Sequence, residues 1–232
     1  MQPKIIKKDT FYITGLTGDG AKTGEVWNDL DSLYSKNPFP KVDDNGYEIR
    51  FWSKEKSGKD VHVGFLTESE QEAGDFTTIT IPPTEYAVFY VFVANGYDSG
   101  NAEMDKWLED NALWLKCRDI DGNGFILEHY NERFKNGNQP DSIVEFWVPF
   151  YRFCQSCFMI MDADDKFGTE ANGSQNLDYC CHCYGNGDFV WGADFNEFVE
   201  ENIPFWRDGC KNDDEARARI LEVFPKLKRW AK

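Results

Sequence analysis

Two periodicities take turns along the chain: alternation at every second position, which marks a half-buried strand, and the three-to-four spacing of an amphipathic helix. Phe11–Leu16 is apolar and β-prone and runs into Gly15, Gly18 and Gly20, which predict a turn. Val26, Trp27, Leu30, Leu33 and Tyr34 form one stripe. They predict a helix over Thr23–Tyr34, with Thr23 as N-cap and Asn37-Pro38-Phe39-Pro40 as its stop. In Tyr47–Trp52 the residues Tyr47, Ile49 and Phe51 alternate with Glu48, Arg50 and Trp52, and Val61–Leu66 follows the polar turn at 53–60. The order so far is β-α-β-β.

That order then repeats. Phe76–Ile81 and Tyr86–Val93 are an extended segment broken by Pro82-Pro83, and a helix is predicted over 101–115 with Met104, Trp107, Leu108 and Leu113 inward. Phe125–Tyr130 and Ser142–Val148 read as the closing strands. Two β-α-β-β units, alike in element order and not in visible sequence, predict a duplicated α+β domain with an antiparallel sheet and helices on one face.

Around Tyr151 cysteine, glycine and asparagine replace the alternation, so the chain divides into domains at 1–152 and 153–232. Asp194 and Glu197 resemble a capping box ahead of Phe195, Phe198 and Val199. A last helix is predicted over Asp213–Trp230, kinked or divided at Pro225. Between the texture change and that helix stand Cys154 and Cys157 in CQSC, and Cys180 and Cys183 in CCHC, with 22 residues between the pairs. Each C-x-x-C knuckle points two sulfurs at one spot, so the four predict a tetrahedral Zn²⁺ site of structural type, with two disulfides as the rival reading. His182 is a weaker candidate ligand, and Cys117, Cys181 and Cys210 read as idle thiols.

The chain has 232 residues, 41% hydrophobic and 16% aromatic, which is enough to bury a core. A formal net charge of −16 argues against a phosphate-binding surface and favours cationic partners. Between Cys154 and Cys183 the only Lys or Arg is Lys166, against Asp162, Asp164, Asp165, Glu170 and Asp178, so direct nucleic-acid contact is not expected there. No secretory signal and no apolar run of membrane-spanning length is visible, and an odd cysteine count suits a reducing compartment, so a cytoplasmic location is expected. GDGAKTG at 18–24 lacks the order of a phosphate loop. Residues 119–128 resemble a calcium loop but carry Tyr130 where its bidentate glutamate belongs, and they read as an ordinary turn. His62, His129 and His182 are scattered and form no catalytic arrangement.

The closing strands hold the candidate binding residues. Alternation places Glu145 on one face with Trp147, opposite Val144, Phe146 and Val148, and Glu128 shares a face with Tyr130. Carboxylates in an aromatic-lined groove would receive a lipophilic cation through ion pairing and ring-face attraction. The alternative is that both glutamates lie on a solvent-facing sheet surface.

Two resemblances follow from these residues. CQSCFMIM, FGTEANGSQNLDYCCHCYGNGDF and the terminal LKRW resemble the zinc ribbon family of small bacterial and archaeal modules across about 153–230, with Phe158 standing where a glycine commonly follows the second cysteine. The duplicated β-α-β-β order, the E-x-Y at Glu128–Tyr130 and the last strand with Glu145 before Pro149 resemble the GyrI-like effector-binding domain, the ligand sensor of AraC- and MerR-type activators. That resemblance implies a curved antiparallel sheet with helices behind it and a groove between the halves, where acidic residues meet cationic, aromatic compounds. The role maps onto Glu145 and Glu128, with Tyr130 and Trp147 as walls. The helix-turn-helix that usually accompanies the sensor is not expected, since no helical segment precedes Phe11. The expected function is therefore binding of an amphipathic cation by a regulatory or sequestering protein. The alternatives are a small-molecule hydrolase using Glu128 and Glu145, or a zinc-ribbon adaptor for a protein partner; a homodimer remains open.

Overall fold

A computed structural model describes residues 2–52, 59–70, 74–135, 139–191 and 194–231; the turn predicted at 53–60 lies largely outside them. The chain forms two compact units, Met1–Asp110 with Cys117–Phe150, and Asn111–Lys116 with Tyr151–Lys232.

The elements of the first unit are β1 (Lys4–Lys8), β2 (Phe11–Gly18), α1 (Thr23–Lys36), β3 (Gly46–Trp52), β4 (Val61–Thr67), β5 (Thr77–Ile81), β6 (Thr84–Phe92) and α2 (Tyr97–Asp110). After them come β7 (Leu115–Cys117), β8 (Asp119–Ile120), β9 (Asn123–Tyr130) and β10 (Ile143–Phe153), of which residues 115–116 of β7 and 151–153 of β10 belong to the second unit. The main sheet path is β1-β6-β10-β9-β3-β4-β2-β5. Its inner six strands expose the duplication. One half reads β6-β10-β9 and the other β2-β4-β3, so equivalent strands sit at mirrored distances from the central β3·β9 pair. The curled antiparallel α+β architecture agrees with the sequence reading.

Alternation gives the sheet two unlike faces. One carries Ile13, Tyr47, Ile49, Phe125, Leu127, Trp147 and Tyr86 in a continuous apolar cluster. The other is covered by the helices. Leu30 of α1 packs with Val61, Val63 and Phe65, and Trp107 of α2 meets Phe89 and Phe150 edge-on at 5.6 and 6.3 Å. Gly100 lets α2 approach Val91, whose side chain would lie 2.6 Å from an added Cβ.

Three boundaries differ from the sequence reading. β1 pairs with β6 from Lys4↔Val88 to Lys8↔Thr84 and was not foreseen, because KIIKK offers only two apolar residues. The second helix occupies Tyr97–Asp110 instead of 101–115: Gly96 at φ 80 ends the preceding turn, and Leu113 lies outside the helix. The last strand continues through Pro149 to Phe153. At 119–124 the turn reading holds, since Asp121 and Gly122 at φ 52 and 79 join Ile120 to Asn123 as a two-residue hairpin loop.

In the second unit, β11 (Ile160–Met161), β12 (Phe167–Thr169), β13 (Gln175–Cys180), β14 (Tyr184–Gly185) and β15 (Asp188–Phe189) precede α3 (Phe195–Asn202) and α4 (Asp213–Val223). Asp194 caps α3 by accepting from Asn196 N. Pro225 ends the last helix outright, leaving a single turn at Phe224–Lys226. The core of this unit gathers Met161, Phe198, Val199, Ile220, Phe224 and Leu227 around the cysteines. Among the described residues no helix is long and apolar enough to cross a membrane.

Candidate functional site

The β3·β9 pair places Glu48 directly opposite Glu128. Both point to the helix side, where they are 1% and 3% exposed. Two carboxylates facing each other out of water repel and are poorly solvated, so compensation is required. Arg50 supplies it: its Nε donates to Glu128 Oε1 at 2.8 Å, and its Nη2 lies 2.5 Å from Glu48 Oε1. Nη2 also reaches Thr23 Oγ1 at 3.2 Å, at the start of α1. Glu48 Oε2 accepts from Trp27 Nε1 at 3.1 Å and Tyr130 Oη at 3.4 Å, and Tyr130 Oη donates to Glu128 Oε2 at 2.7 Å.

Compensation is incomplete. Glu48 Oε1 accepts no well-directed hydrogen bond despite its nearness to Arg50. Burial, with the Glu128 charge second, pushes the Glu48 carboxyl up to about 7 against the pull of Arg50. Burial and the two carboxylates also drive the Tyr130 phenol far above its ordinary value, so it stays a donor. Two carboxylates and one guanidinium leave one formal negative charge when both acids are ionised.

Above this pair opens a cleft of about 710 Å³, lined by Trp27, Tyr97, Ile126, Tyr130, Phe134 and Phe146 beside the charged groups. Tyr97 stacks on Phe146 at 6.0 Å, and Trp27 meets Tyr130 edge-on at 6.0 Å. The lining follows the duplication. α1 and α2 are both 14 residues long, so Thr23 corresponds to Tyr97 and Trp27 to Asn101. A twofold placed at the Glu48–Glu128 pair likewise relates Gly46 to Ile126 and Arg50 to Tyr130. All of these line the cleft.

The four residues singled out in the closing strands are not brought together. Glu128 and Tyr130 are in the cleft, whereas Glu145 and Trp147 lie on the opposite face, because Glu145 pairs with His129 and it is Phe146 that pairs with Glu128. The expectation of one groove holding all four is corrected by that register. Glu145 is already saturated: it accepts from His129 Nδ1 at 3.0 Å and Trp147 Nε1 at 2.8 Å, and Arg133 Nη2 contacts its other oxygen. Burial works against its charge, but the hydrogen bonds from His129 and Trp147 win and hold it down at about 2. Glu48, Arg50 and Trp27 were missed as site residues, although the alternation that put Glu48 and Arg50 on one face of β3 was visible.

In the second unit Cys154, Cys157, Cys180 and Cys183 bring their sulfurs within 4.8 Å of one another. Cys157 Sγ and Cys180 Sγ are 3.7 Å apart. That is close to the ~3.8 Å edge of a tetrahedron with ~2.3 Å metal–sulfur bonds and far beyond a ~2.05 Å disulfide. None of the four is in a disulfide. The knuckles are made by short turns, Phe158 N→Cys154 O at 2.9 Å and Cys183 N→Cys180 O at 2.9 Å, and Cys180 N donates to Cys154 Sγ at 3.3 Å. The donor set fits a tetrathiolate metal site; His182 and Cys181 stand outside it. Phe158 takes φ 65, the left-handed conformation that glycine adopts without cost, and its ring stacks on Phe153 at 4.0 Å. The terminal Arg229 and Trp230 grip the first knuckle, through Arg229 N→Gln155 O at 3.1 Å, Arg229 Nη1→Ser156 Oγ at 3.0 Å and Trp230 Nε1→Ser156 O at 2.9 Å.

Residues 153–231 match the family described as "Putative zinc ribbon domain". No curated protein matches the chain. Among solved structures it is similar to SAV2435 bound to tetraphenylphosphonium, with 14% identity over 65% of this chain and 94% of that one and a TM-score of 0.47. It is similar to the C-terminal domain of EcmrR, with 13% identity, 64% and 96% coverage and a TM-score of 0.46. A hydrolase from Listeria innocua is 13% identical over 64% of this chain and 91% of that one, with a TM-score of 0.36.

Proposed function

We propose that the first unit is a small-molecule-binding domain of the GyrI-like effector-binding kind, and that its ligand is an amphipathic cation held in the cleft between α1 and α2. One observation carries this reading: two buried carboxylates oppose each other on the floor of an aromatic-walled cleft with a single guanidinium between them. Charge held away from water in this way is costly until a cation meets it, and an apolar cation adds ring-face attraction to Trp27, Tyr97 and Tyr130. The cleft volume suits a drug-sized molecule. In this reading Glu128 and Glu48 supply charge, Tyr130 and Trp27 supply aromatic walls, and Glu145 with Trp147 serves the sheet. A regulatory or sequestering role would follow from such binding. Zn²⁺ is the metal we assign to the four cysteines; four thiolates close its shell and leave no position for water, so its part is structural. Two C-x-x-C pairs at metal spacing also suit a reducing compartment, and we place the protein in the cytoplasm on that ground.

The test is a tryptophan-fluorescence titration with tetraphenylphosphonium. Saturable quenching is expected, weakened about tenfold or more in Glu128→Gln. Absence of saturable binding to the wild-type protein overturns the reading.

One observation favours hydrolysis as a second reading: Glu48, with a carboxyl pushed up to about 7, has the proton affinity of a general acid–base. Glu145 has no part in it from the other face. Turnover of activated esters that disappears in Glu48→Gln would establish it, and ligand binding without turnover would exclude it.

A further inference from the structure

Resting on the cation-binding reading of the cleft, we infer that Arg50 is its specificity-determining residue: the resident guanidinium between Glu48 and Glu128 sets the charge of the cleft so that a ligand with one positive charge is selected over a dication. The geometry is that of a bridge. Arg50 Nε holds Glu128 Oε1 at 2.8 Å while Nη2 lies 2.5 Å from Glu48 Oε1. The bridge is anchored from outside the pair as well, by Thr23 Oγ1 at 3.2 Å and Gly20 O at 3.5 Å. The guanidinium is therefore built into the site, with 37% of its side chain exposed along the cleft wall.

The duplication makes the role specific to Arg50. Its counterpart in the other half is Tyr130, a neutral donor to the same carboxylates. A cleft with tyrosine at both places would leave two uncompensated negative charges. A cleft with arginine at both would leave none. One of each leaves one. A monocation brings the site to neutrality, whereas a dication leaves an uncompensated positive charge in a low-dielectric cleft beside Arg50.

Three near-isosteric probes separate charge from shape: neutral methylbiphenyl, methylphenylpyridinium with one charge, and methyl viologen with two. Affinities are measured by calorimetry at about pH 8.5, above the value of about 7 to which Glu48 is pushed, for the wild-type protein, Arg50→Gln, Arg50→Lys and Glu48→Gln. A unit charge about 6 Å away, at an effective dielectric constant of about 20 to 40, changes affinity roughly 10- to 100-fold. The wild-type protein and Arg50→Lys should therefore favour methylphenylpyridinium, Arg50→Gln should move the preference toward methyl viologen by that factor, and Glu48→Gln should move it away from methyl viologen. Glu48→Gln carries the test by itself should Arg50→Gln not fold. An unchanged ratio of the two cation affinities in these variants overturns the role of Arg50 while leaving the cation site standing. Failure of the wild-type protein to bind either cation overturns both.

Discussion

Replacing Glu48 with glutamine should make the protein more stable and bind cations less well. The stability part follows from proton linkage. Glu48 is held at about 7 in the folded chain against an ordinary 4.5, first by burial and then by Glu128. Between those values the folded state keeps a proton that the unfolded state releases, so folding stability falls as pH rises from about 4.5 to about 7 and stays reduced above it. With about 1.4 kcal/mol for each power of ten in proton affinity, the full penalty is ~3 kcal/mol, an upper figure because Arg50 and the pair share it. Glutamine resembles the protonated acid in shape and charge, keeps an oxygen for Trp27, and leaves Arg50 with Glu128. The expected result is a gain of about 1 to 3 kcal/mol for Glu48→Gln at pH 8 and little difference at pH 4.5, measured by urea denaturation of both proteins across that range. A variant less stable than the wild type at pH 8 would refute the premise that this carboxylate is held at a cost. Glu48→Gln should lose cation affinity at the same pH, and a bound cation should lower the proton affinity of Glu48, so wild-type binding should strengthen as pH rises through about 7.

Glu145→Gln should behave in the opposite way. A carboxylate held down at about 2 contributes stability that is present above 4.5 and lost as pH falls toward 2. The variant should cost about 1 to 3 kcal/mol at pH 7 by denaturation and leave cation affinity unchanged, because Glu145 lies on the other face. Chelation should remove about one zinc per chain and, on the order of 10 kcal/mol of metal binding being at stake, should abolish the protected amides of α3 and α4 in hydrogen exchange while those of β3 and β9 persist. Cys157→Ser should do the same without chelator. At position 158, glycine should be about 1 kcal/mol more stable than alanine, since both lose the stacking on Phe153 but only alanine keeps the strain of φ 65. Equal stability of Phe158→Gly and Phe158→Ala would show that the backbone there relaxes.

Face assignments were legible in the sequence, and relations between strands were not. Period-2 alternation correctly paired Glu145 with Trp147 and Glu128 with Tyr130, because it depends only on the pleat of one strand. Whether two strands show their chosen residues to the same side depends on register, and a slip of one residue exchanges the faces. Nothing local to β9 or β10 says that Glu145 meets His129 and that Glu128 meets Phe146. Glu48 and Arg50 were hidden for the same reason: on β3 alone they look like the wet side of a hairpin, and the partner that buries them, Glu128, is 78 residues from Arg50. The cysteines were legible because a knuckle is local. Two short motifs already point four sulfurs inward, and the fold only has to bring the knuckles together.

The duplication explains why the cleft sits where it does. Each β-α-β-β half ends its own run of three strands with an unpaired edge, β3 in one and β9 in the other, and joining those edges hides both. The join brings equivalent residues face to face only where the local twofold passes, and a glutamate at that place in both halves meets itself, as Glu48 meets Glu128. With tyrosine at the equivalent place in both halves, that meeting would be a buried pair of like charges with equal, uncharged partners on each side. The halves instead differ two residues further along each strand, at Arg50 and Tyr130, and at the helix positions above, at Trp27 and Asn101. Divergence at these places keeps the symmetric carboxylate pair and converts its surroundings into one charged wall and one aromatic wall. The residual single charge is a consequence of that asymmetry. Placing the same residue in both halves with Arg50→Tyr should therefore raise the proton affinity of Glu48, which Arg50 now lowers, seen as a proton released on cation binding at a higher pH than in the wild-type protein.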